Sequence, residues 1–392
     1  KQLIRQSRIE IPAPLPPMAA GLIGFMGYDM VKQIERLPDG NPDPIAIPDG
    51  CFMRPQITVV HDTVDGFIYV ITPVWTYTNA EADYANACER IAHVVALLNK
   101  PLQKSHAVGT APLEPLTFRP HITKEEYLRR VDKAKEYILA GDIFQVVPSQ
   151  RFSTPFTLPS FALYRALRHL NPSPFLFYLH FGSFTLIGSS PEILVRLRHG
   201  NVTIRPIAGT RKRGATPDED QALSRELLAD DKEIAEHLML LDLGRNDVGR
   251  VSKPHSVKVT ERMIIERYSH VMHIVSNVEG KLRDDMDAVD ALMAGFPAGT
   301  VSGAPKIRAM EIIDELESEK RSFYAGCVGY FSGNGSMDTC ITLRTGLIKD
   351  NVLYVQAGGG VVADSDPDAE YEESCNKAKA IMKAAEMAVN FQ

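Results

Sequence analysis

Two parts of this 392-residue chain carry glutamate pairs at a spacing that could hold a metal ion. Glu233 and Glu236 lie three residues apart in a segment of helical periodicity, and Glu370 and Glu373 repeat this spacing further along, followed by Lys377. Side chains three or four residues apart share one face of a helix. Four carboxylates suit a hard cation such as Mg²⁺, which prefers oxygen ligands. Two solvated acidic helix faces explain the same spacing.

Two loops rich in small residues could bind an anion. Residues 357–360, with the sequence Ala-Gly-Gly-Gly, follow a predicted strand, and glycine leaves backbone N–H groups accessible. A carboxylate could dock there, although a tight turn or a bulge would use the same glycines. The second loop, residues 297–306, precedes a predicted helix and contains Thr300. It could bind an oxygen anion or simply cap the helix.

An arginine and a histidine stand in apolar segments. Arg344 follows the run Cys-Ile-Thr-Leu, where a guanidinium needs an anionic partner, either in a salt bridge or in a bound ligand. His273 lies in a stretch of strand-like alternation. A single histidine in an apolar run is more often a hydrogen-bonded core residue than a catalytic one.

The elements that must position these residues are predicted from periodicity and turn chemistry. Thr123 and Glu126 form a capping box before apolar positions at helical spacing, and Gly141 ends the predicted helix. Short β-rich runs joined by turns predict antiparallel strands. These runs are 184–188, 193–197, 202–207, 326–331, 338–348 and 352–356. Further helices are predicted at 218–243, 285–295, 303–320 and 367–387. Antiparallel sheets with helices packed outside them give an α+β fold.

Composition is that of an ordinary globular protein. Lys and Arg total 43 against 49 Asp and Glu, the net charge is -6, and 44% of the residues are hydrophobic. This acidic balance argues against nucleic acid and anionic membranes as partners. No apolar run approaches a bilayer span, and the first residues lack the apolar core of a signal peptide. Five scattered cysteines indicate neither a disulfide framework nor a zinc site, so a reducing cytoplasm is the expected location.

A proline-rich stretch between residues 100 and 121 predicts the main division of the chain. We expect an N-terminal region over residues 1–105, a linker over 106–122 and a catalytic domain over 123–392. Because the first residue is Lys rather than Met, we expect the natural N-terminus to lie further upstream.

Several long motifs in a fixed order resemble the chorismate-utilising enzymes, and most closely the large subunits of anthranilate synthase. They are Gly21–Asp29, Gly141–Ser149, Ser189–Glu192, Pro206–Arg211, the helix of Glu236, Pro297–Lys306 and the C-terminal acidic helix. The resemblance covers nearly all of residues 120–388. It implies that family's fold, in which antiparallel sheets pack as a sandwich with helices outside.

The resemblance implies a Mg²⁺-dependent site for chorismate. Glu236 and Glu373 would ligate the metal, with Glu233 and Glu370 acting through water, and Mg²⁺ would hold the ring carboxylate of the substrate. The enolpyruvyl carboxylate would be held by a tyrosine, an arginine and the glycine loop. The positions implied to contact substrate are Gln145, Ala208, Gly209, Thr210, Thr300, Tyr330, Arg344, Ala357, Gly358, Gly359, Gly360 and Lys377.

Two further residues match catalytic positions of the family. Glu192 corresponds to the general acid that protonates the departing hydroxyl, a role that requires a raised pKa in a closed site. His273 corresponds to the histidine linked to the later elimination step.

The identity of the nucleophile follows from two positions. Isochorismate and salicylate synthases carry a lysine that activates water where this chain has Gln145, which cannot act as that base. Aminodeoxychorismate synthases commonly carry a nucleophilic lysine at the position of Ala208. Addition of ammonia at ring carbon C2, followed by loss of pyruvate to give anthranilate, is the reaction that remains. The alternatives are an aminodeoxyisochorismate or aminodeoxychorismate synthase and a noncatalytic module that binds chorismate or tryptophan.

The resemblance also implies a partner and a regulator. Ammonia would come from a separate glutamine amidotransferase subunit, component II, in a heterotetramer with this chain, within tryptophan biosynthesis. Part of a tryptophan pocket resembles the run Asn171, Pro172, Ser173, Pro174 and Phe175. The Leu-Leu-Glu-Ser-type segment that completes this pocket in the family has no match here, and a proline-rigid loop explains the same residues.

Overall fold

The computed structural model describes residues 1–75, 79–101, 116–268 and 271–391. This part of the chain forms nineteen β-strands in two large and two small antiparallel sheets. In chain order they are β1 (Gly21–Met26), β2 (Gly50–Met53), β3 (Thr58–Asp62), β4 (Phe67–Ile71), β5 (Arg119–Pro120), β6 (Gln145–Val146), β7 (Ser149–Pro155), β8 (Phe175–His180), β9 (Phe184–Ser190), β10 (Ile193–Arg198), β11 (Asn201–Ile204), β12 (Ile207–Lys212), β13 (Lys258–Arg267), β14 (Val271–Lys281), β15 (Gly303–Ala304), β16 (Cys327–Ser332), β17 (Met337–Ile341), β18 (Thr345–Lys349) and β19 (Val352–Gly358).

Nine α-helices accompany these strands in the described residues. They are α1 (Gln2–Gln6), α2 (Ala80–Leu98), α3 (Lys124–Leu139), α4 (Ser160–Leu170), α5 (Pro217–Ala229), α6 (Asp231–Val251), α7 (Ala288–Gly295), α8 (Lys306–Leu316) and α9 (Pro367–Met387). A short 3₁₀ helix, Gly299–Val301, lies in the loop before α8.

The two large sheets pack against each other around one hydrophobic core. The first has the order β12-β14-β11-β10-β17-β16-β1-β2, with β13 also paired to β14, and the second has the order β5-β7-β19-β18-β9-β8. Buried side chains from both sheets, such as Phe25 and Ile341 from the first and Leu186 and Leu347 from the second, share the largest core cluster. Helices α6 and α7 pack on the first sheet, and α4 and α9 pack on the second. The predicted α+β sandwich with outer helices is therefore confirmed.

The chain passes from one sheet to the other at two neighbouring points. Strand β9 of the second sheet leads into β10 of the first, and β17 of the first leads into β18 of the second. The two crossings are joined by hydrogen bonds from Ile341 N to Glu192 O at 3.1 Å and from Ser189 N to Arg344 O at 3.1 Å. Arg344 has a left-handed φ of 47°. The prediction of one strand over 338–348 was wrong because the backbone turns there to change sheets.

Helix ends follow local capping chemistry. The Thr123 hydroxyl accepts a hydrogen bond from the Glu126 N–H and starts α3, which confirms the predicted helix. The stretch predicted as helical over 218–243 forms two helices that are divided at Asp230. The side chain of Asp230 accepts from the N–H groups of Lys232 and Glu233 and caps α6, while its own backbone is extended. This cap fixes where the Glu233 and Glu236 turn begins.

The N-terminal region shares the first sheet with the rest of the chain. Strand β1 lies between β2 and β16, and Phe25 at its centre is fully buried. The proposed division into residues 1–105, 106–122 and 123–392 stays a prediction, and residues 106–115 of its linker lie outside the described residues. Across the described chain, no helix is both long and apolar enough to cross a membrane.

Truncation of Phe25 tests how strongly the N-terminal strand supports the core. Its ring lies 5.4 Å from that of Phe181 and 5.8 Å from that of Phe184. We expect Phe25→Ala to lower the free energy of unfolding by about 3–5 kcal/mol, because a fully buried aromatic ring leaves a cavity. Urea unfolding measures the change. Phe67→Ala, at a position that is 61% exposed, is the control and is expected to cost less than about 1 kcal/mol. Equal losses of unfolding free energy in the two variants would contradict a stabilising role for β1 in the core.

Candidate active site

Glu192 lies at the β9 to β10 crossing, inside the protein. The residue is 8% exposed, and one carboxyl oxygen, Oε1, accepts a hydrogen bond from the Thr300 hydroxyl at 3.2 Å. Burial raises the pKa of Glu192 from 4.5 to about 8, against the opposing effects of the Thr300 hydrogen bond and the Lys377 charge. Glu192 is therefore largely protonated at neutral pH and can donate a proton.

His273 is held by a bulge in the neighbouring strand. The register between β12 and β14 shifts between Ala208 and Thr210, and Gly209 has a φ of 75°. His273 Nδ1 lies 3.1 Å from the Gly209 carbonyl oxygen and 3.0 Å from Thr210 Oγ1. Because a carbonyl can only accept, Nδ1 carries the proton and Nε2 keeps its lone pair. Burial lowers the pKa of His273, with Arg344 adding to the effect, so the ring is neutral.

Arg344 presents its guanidinium without a carboxylate partner. No ion pair joins Arg344 to an acidic side chain within the described ranges, and burial lowers its pKa. Of the two interpretations left open by the sequence, the internal salt bridge is not found in that part of the chain. A half-buried guanidinium of this kind gains most from a bound anion.

The two acidic pairs lie on α6 and α9, within electrostatic reach of each other. Burial raises the pKa of Glu236, and the charges of Glu233 and Glu373 raise it further, so the pairs from the two helices face one region. The Glu233 carboxylate is held by Arg211 at 3.0 Å, and Glu373 is paired with Lys377 at 2.7 Å. The α6 and α9 carboxylates thus converge, although two of them already have cationic partners.

Glu370 supplies the observation that bears most on a metal. Its Oε1 accepts from the Ser365 hydroxyl at 2.7 Å, whereas its Oε2 is buried with no hydrogen-bond partner. Within the described ranges, no three His, Cys, Asp or Glu side chains come close enough to form a metal centre by themselves. Mg²⁺ commonly takes one or two protein carboxylates and completes its shell with water and substrate oxygens. The residues present fit such an incomplete, oxygen-only site.

The glycine loop after β19 lies against these carboxylates. A Cβ atom at Gly359 would lie 2.7 Å from Glu370 Oε2, and one at Gly360 would overlap the Gln145 amide, so a side chain at either position would displace Glu370 or Gln145. Lys377 Nζ donates to the Gly358 carbonyl at 3.1 Å. Gln145 is 3% exposed, and its Oε1 is another buried oxygen with no hydrogen-bond partner. The loop therefore connects Gln145 with the α9 acids.

The other predicted residues near the loop are placed by their strands. Ala357 packs into the second hydrophobic core cluster, next to the loop but in an apolar setting. Ala208 is buried in β12 and pairs with Ile274 of β14, one residue before the Gly209 bulge. A Cβ atom at Gly209 would lie 3.1 Å from Glu233 Oε2, so the bulge reaches the α6 acids. The predicted residues, other than Tyr330 and the Asn171–Phe175 run, therefore meet at one end of the sandwich.

Tyr330 does not lie with this group. It pairs with Asp338 across β16 and β17, and Asp338 and Arg198 both influence its pKa, which burial raises. Its placement among the substrate contacts is therefore corrected. The tyrosine beside the glycine loop is Tyr324, which is 2% exposed and accepts a hydrogen bond from the Gly358 N–H at its hydroxyl oxygen. The resemblance placed Tyr330 in the site, and sequence spacing does not indicate that Tyr324, just before β16, lies beside the loop instead.

Residues Asn171 to Phe175 form a second, separate location. They connect α4 to β8, and the Ser189 hydroxyl donates to the Asn171 carbonyl. The Ser173 hydroxyl is buried with no hydrogen-bond partner. Through Ser189 the segment touches β9, the strand that leads into the crossing where Glu192 lies. Its regulatory role stays a prediction.

Comparison with known proteins places the chain in a family. A model of the chorismate binding enzymes matches residues 2–383. The chain belongs to the chorismate-binding enzyme family.

Relatives within this family share most of the chain. Anthranilate synthase component 1 of Cereibacter sphaeroides is 59% identical over 390 residues, covering 98% of this chain and 77% of the relative. The protein of the same name from Aquifex aeolicus is 52% identical over 380 residues, covering 96% and 76%. The crystal structure of anthranilate synthase component I from Streptococcus pneumoniae superposes with a TM-score of 0.88 at 42% identity, covering 97% of this chain and 84% of that one.

The raised pKa of Glu192 predicts a pH-dependent stability. This carboxyl is harder to ionise in the folded chain than in the unfolded chain. A rise in pH therefore ionises it first in the unfolded chain and stabilises the unfolded state. The contribution of Glu192 to stability therefore falls as pH rises from 4.5 to about 8. We expect the free energy of unfolding of Glu192→Gln, relative to that of the parent, to rise by roughly 2–4 kcal/mol as the pH goes from 5 to 9.

Urea unfolding at several pH values measures this difference. Glu372→Gln, which changes an exposed glutamate on α9, is the control and is expected to show a flat difference. A flat difference for Glu192→Gln as well would mean that Glu192 ionises normally in the folded protein.

Proposed function

We propose that this chain is the chorismate-binding component of an anthranilate synthase, a lyase of tryptophan biosynthesis that converts chorismate and ammonia into anthranilate and pyruvate. The observation that carries the proposal is that Glu192, buried with a raised pKa, and Arg344, which has no acidic partner among the described residues, lie at adjacent strand crossings. An acid beside an anion-binding guanidinium suits a substrate that must lose a hydroxyl while its carboxylate is held. The names of the relatives support the same reaction.

The first step of the proposed reaction consumes the Glu192 proton. Ammonia attacks ring carbon C2, the ring double bond shifts, and the C4 hydroxyl leaves as water with the proton of Glu192. The product is aminodeoxyisochorismate, and Glu192 becomes a carboxylate. The Thr300 hydroxyl, 3.2 Å from Oε1, orients the acid and stabilises the carboxylate that forms.

The second step releases pyruvate. A proton leaves C2, the bond between ring carbon C3 and the enolpyruvyl oxygen breaks, and the ring becomes aromatic anthranilate, while the released enolpyruvate takes up a proton at its methylene carbon to give pyruvate. His273 Nε2 keeps a lone pair because Nδ1 donates to the Gly209 carbonyl, so Nε2 is the atom that can accept the proton. The neutral state that burial imposes on His273 is the state that a base requires.

The two carboxylates of chorismate fit two neighbouring parts of the site, one that offers a guanidinium and backbone N–H groups and one that offers carboxylates for a metal ion. Arg344 and the backbone of the Gly358–Gly360 loop would hold the enolpyruvyl carboxylate, with Lys377 helping to place the substrate. Beside the loop, on α6 and α9, Glu236 and Glu373 would hold Mg²⁺, with Glu233 and Glu370 acting through water. Bound Mg²⁺ would supply the positive charge that neutralises the ring carboxylate. Among the described residues the buried Oε2 of Glu370 has no hydrogen-bond partner, which supports an electropositive ligand beside it.

The choice of ammonia as nucleophile rests on two uncharged side chains. Gln145 offers no base to activate water, and Ala208 offers no amine to attack the ring. Ammonia would be supplied by a separate glutamine amidotransferase subunit, and the name "component 1" of the relatives supports the existence of a partner subunit. We expect the isolated chain to use ammonium and to use glutamine only with that partner present.

The direct test is the reaction with chorismate, Mg²⁺ and ammonium at mildly alkaline pH, where more free ammonia is present. We expect anthranilate fluorescence and an equal amount of pyruvate, both lost on chelation with EDTA and restored by Mg²⁺. Glu373→Gln should lower turnover at least about tenfold because it weakens the metal site. Glu372→Gln, one residue away and exposed, is the control. Aminodeoxyisochorismate without pyruvate would indicate the early-stopping enzyme, and chorismate binding without product would indicate a binding module.

Substitution of Ala208 tests the path of ammonia. Ala208→Lys places an amine in that path, and we expect ammonium-dependent anthranilate formation to fall by about 10- to 100-fold. Ala208→Met has a similar length without the amine and separates crowding from charge. Steady-state kinetics with both variants make the comparison. Unchanged turnover in Ala208→Lys would show that Ala208 does not face the reacting ring.

A further inference from the structure

A buried ion pair lies directly behind the candidate active site. Arg321 is 2% exposed and pairs with Glu317, with Nε to Oε2 at 2.9 Å and Nη2 to Oε1 at 2.6 Å. Neither residue is among the predicted site residues. Burial of two charges is costly unless their hydrogen bonds are satisfied, so the further contacts of this pair indicate what it supports.

The guanidinium bonds two active-site segments directly. Nη1 donates to the Val301 carbonyl at 2.7 Å, and Nη2 donates to the Val147 carbonyl at 2.5 Å. Val301 follows Thr300, the residue that hydrogen-bonds Glu192, and Val147 lies two residues after Gln145. One planar group therefore fixes the separation of two backbone segments that meet only through tertiary structure.

The same group also supports the glycine loop. The Tyr324 ring packs against the Arg321 guanidinium at 5.6 Å, and its hydroxyl oxygen receives the Gly358 N–H. Glu317 Oε1 accepts from both the N–H and the hydroxyl of Ser149, each at 2.8 Å. Ser149 lies opposite Gly358 in the β7 and β19 register. The loop is therefore held from two sides by one ion pair.

We propose that Arg321 and Glu317 form a positioning pair, which sets the distance between the Glu192 acid and the carboxylate-binding loop without touching substrate. This inference rests on the proposed function, because it assigns both segments to one substrate. Its physical basis is that acid catalysis and anion binding each require their groups within a few tenths of an ångström of the productive geometry. A side chain at position 321 that made no hydrogen bond, or only one, would let the backbone segments at 147 and 301 move independently.

The test uses a neutral replacement of the whole pair, so that no buried charge is left unpaired. Arg321→Met with Glu317→Gln is compared with Arg130→Met with Glu126→Gln. The control pair has the same four-residue spacing, and Arg130 is 5% exposed, but its guanidinium bonds Glu126 and Ser318 rather than the site segments. Thermal unfolding and steady-state kinetics with chorismate and ammonium are measured for both.

We expect kcat to fall about 100-fold and KM for chorismate to rise severalfold in the Arg321 pair variant, against changes of less than about threefold in the control. The proposal also predicts coupling. Thr300→Val should lower kcat about tenfold in the parent but less than about threefold in the Arg321 pair variant, where Thr300 is already displaced. Kinetics equal to those of the control, or losses that multiply with Thr300→Val, would overturn the positioning role.

The two proposals fail in different ways. If the parent chain makes no anthranilate, the proposed function fails, and the positioning pair is then tested by calorimetric titration with chorismate. About tenfold weaker binding in the Arg321 pair variant than in the Arg130 control would still support it. Equal affinities would overturn it.

Discussion

The candidate site depends on two strand crossings that lie side by side. At each crossing the chain leaves one sheet of the sandwich and enters the other, and the backbone hydrogen bonds from Ile341 to Glu192 and from Ser189 to Arg344 hold the crossings in register. Successive side chains of a strand point to opposite faces, so a slip by one residue would exchange inner and outer side chains. The acid and the guanidinium are therefore neighbours because of sheet topology, although they are far apart in sequence.

This topology also explains the unusual electrostatics. The core excludes water. This burial raises the pKa of Glu192, which stays protonated, and lowers the pKa of His273, which stays neutral. The same exclusion leaves Arg344 and Glu370 Oε2 with unmet interactions in the described protein. Such groups destabilise a fold unless a ligand satisfies them, and their concentration at one end of the sandwich is typical of a site built for charged substrates.

Local features were predictable from the sequence, and tertiary features were not. The α3 cap at Thr123 and the turn from β18 to β19 depend on adjacent residues, so their chemistry is visible in the sequence. The break at Arg344 was missed because an apolar run gives no indication of a change of sheet. Tyr330 was placed in the site by the resemblance, whereas the structure pairs it with Asp338 and brings Tyr324 to Gly358, a contact that depends on tertiary packing. The resemblance supplied residue roles that spacing leaves undecided.

The side chains that decide the nucleophile can change with little effect on the fold. Gln145 is held in β6 against the loop at Gly360, and Ala208 lies next to the β12 bulge, so both backbones are fixed by pairing rather than by their own side chains. A change at either position alters the chemistry of one side chain without altering the strand that carries it. The positions proposed to bind carboxylates have less freedom, because a side chain at Gly359 or Gly360 would meet the side chain of Glu370 or Gln145. In the proposed reaction the fold therefore fixes where the anions would bind and leaves the identity of the attacking group to individual side chains.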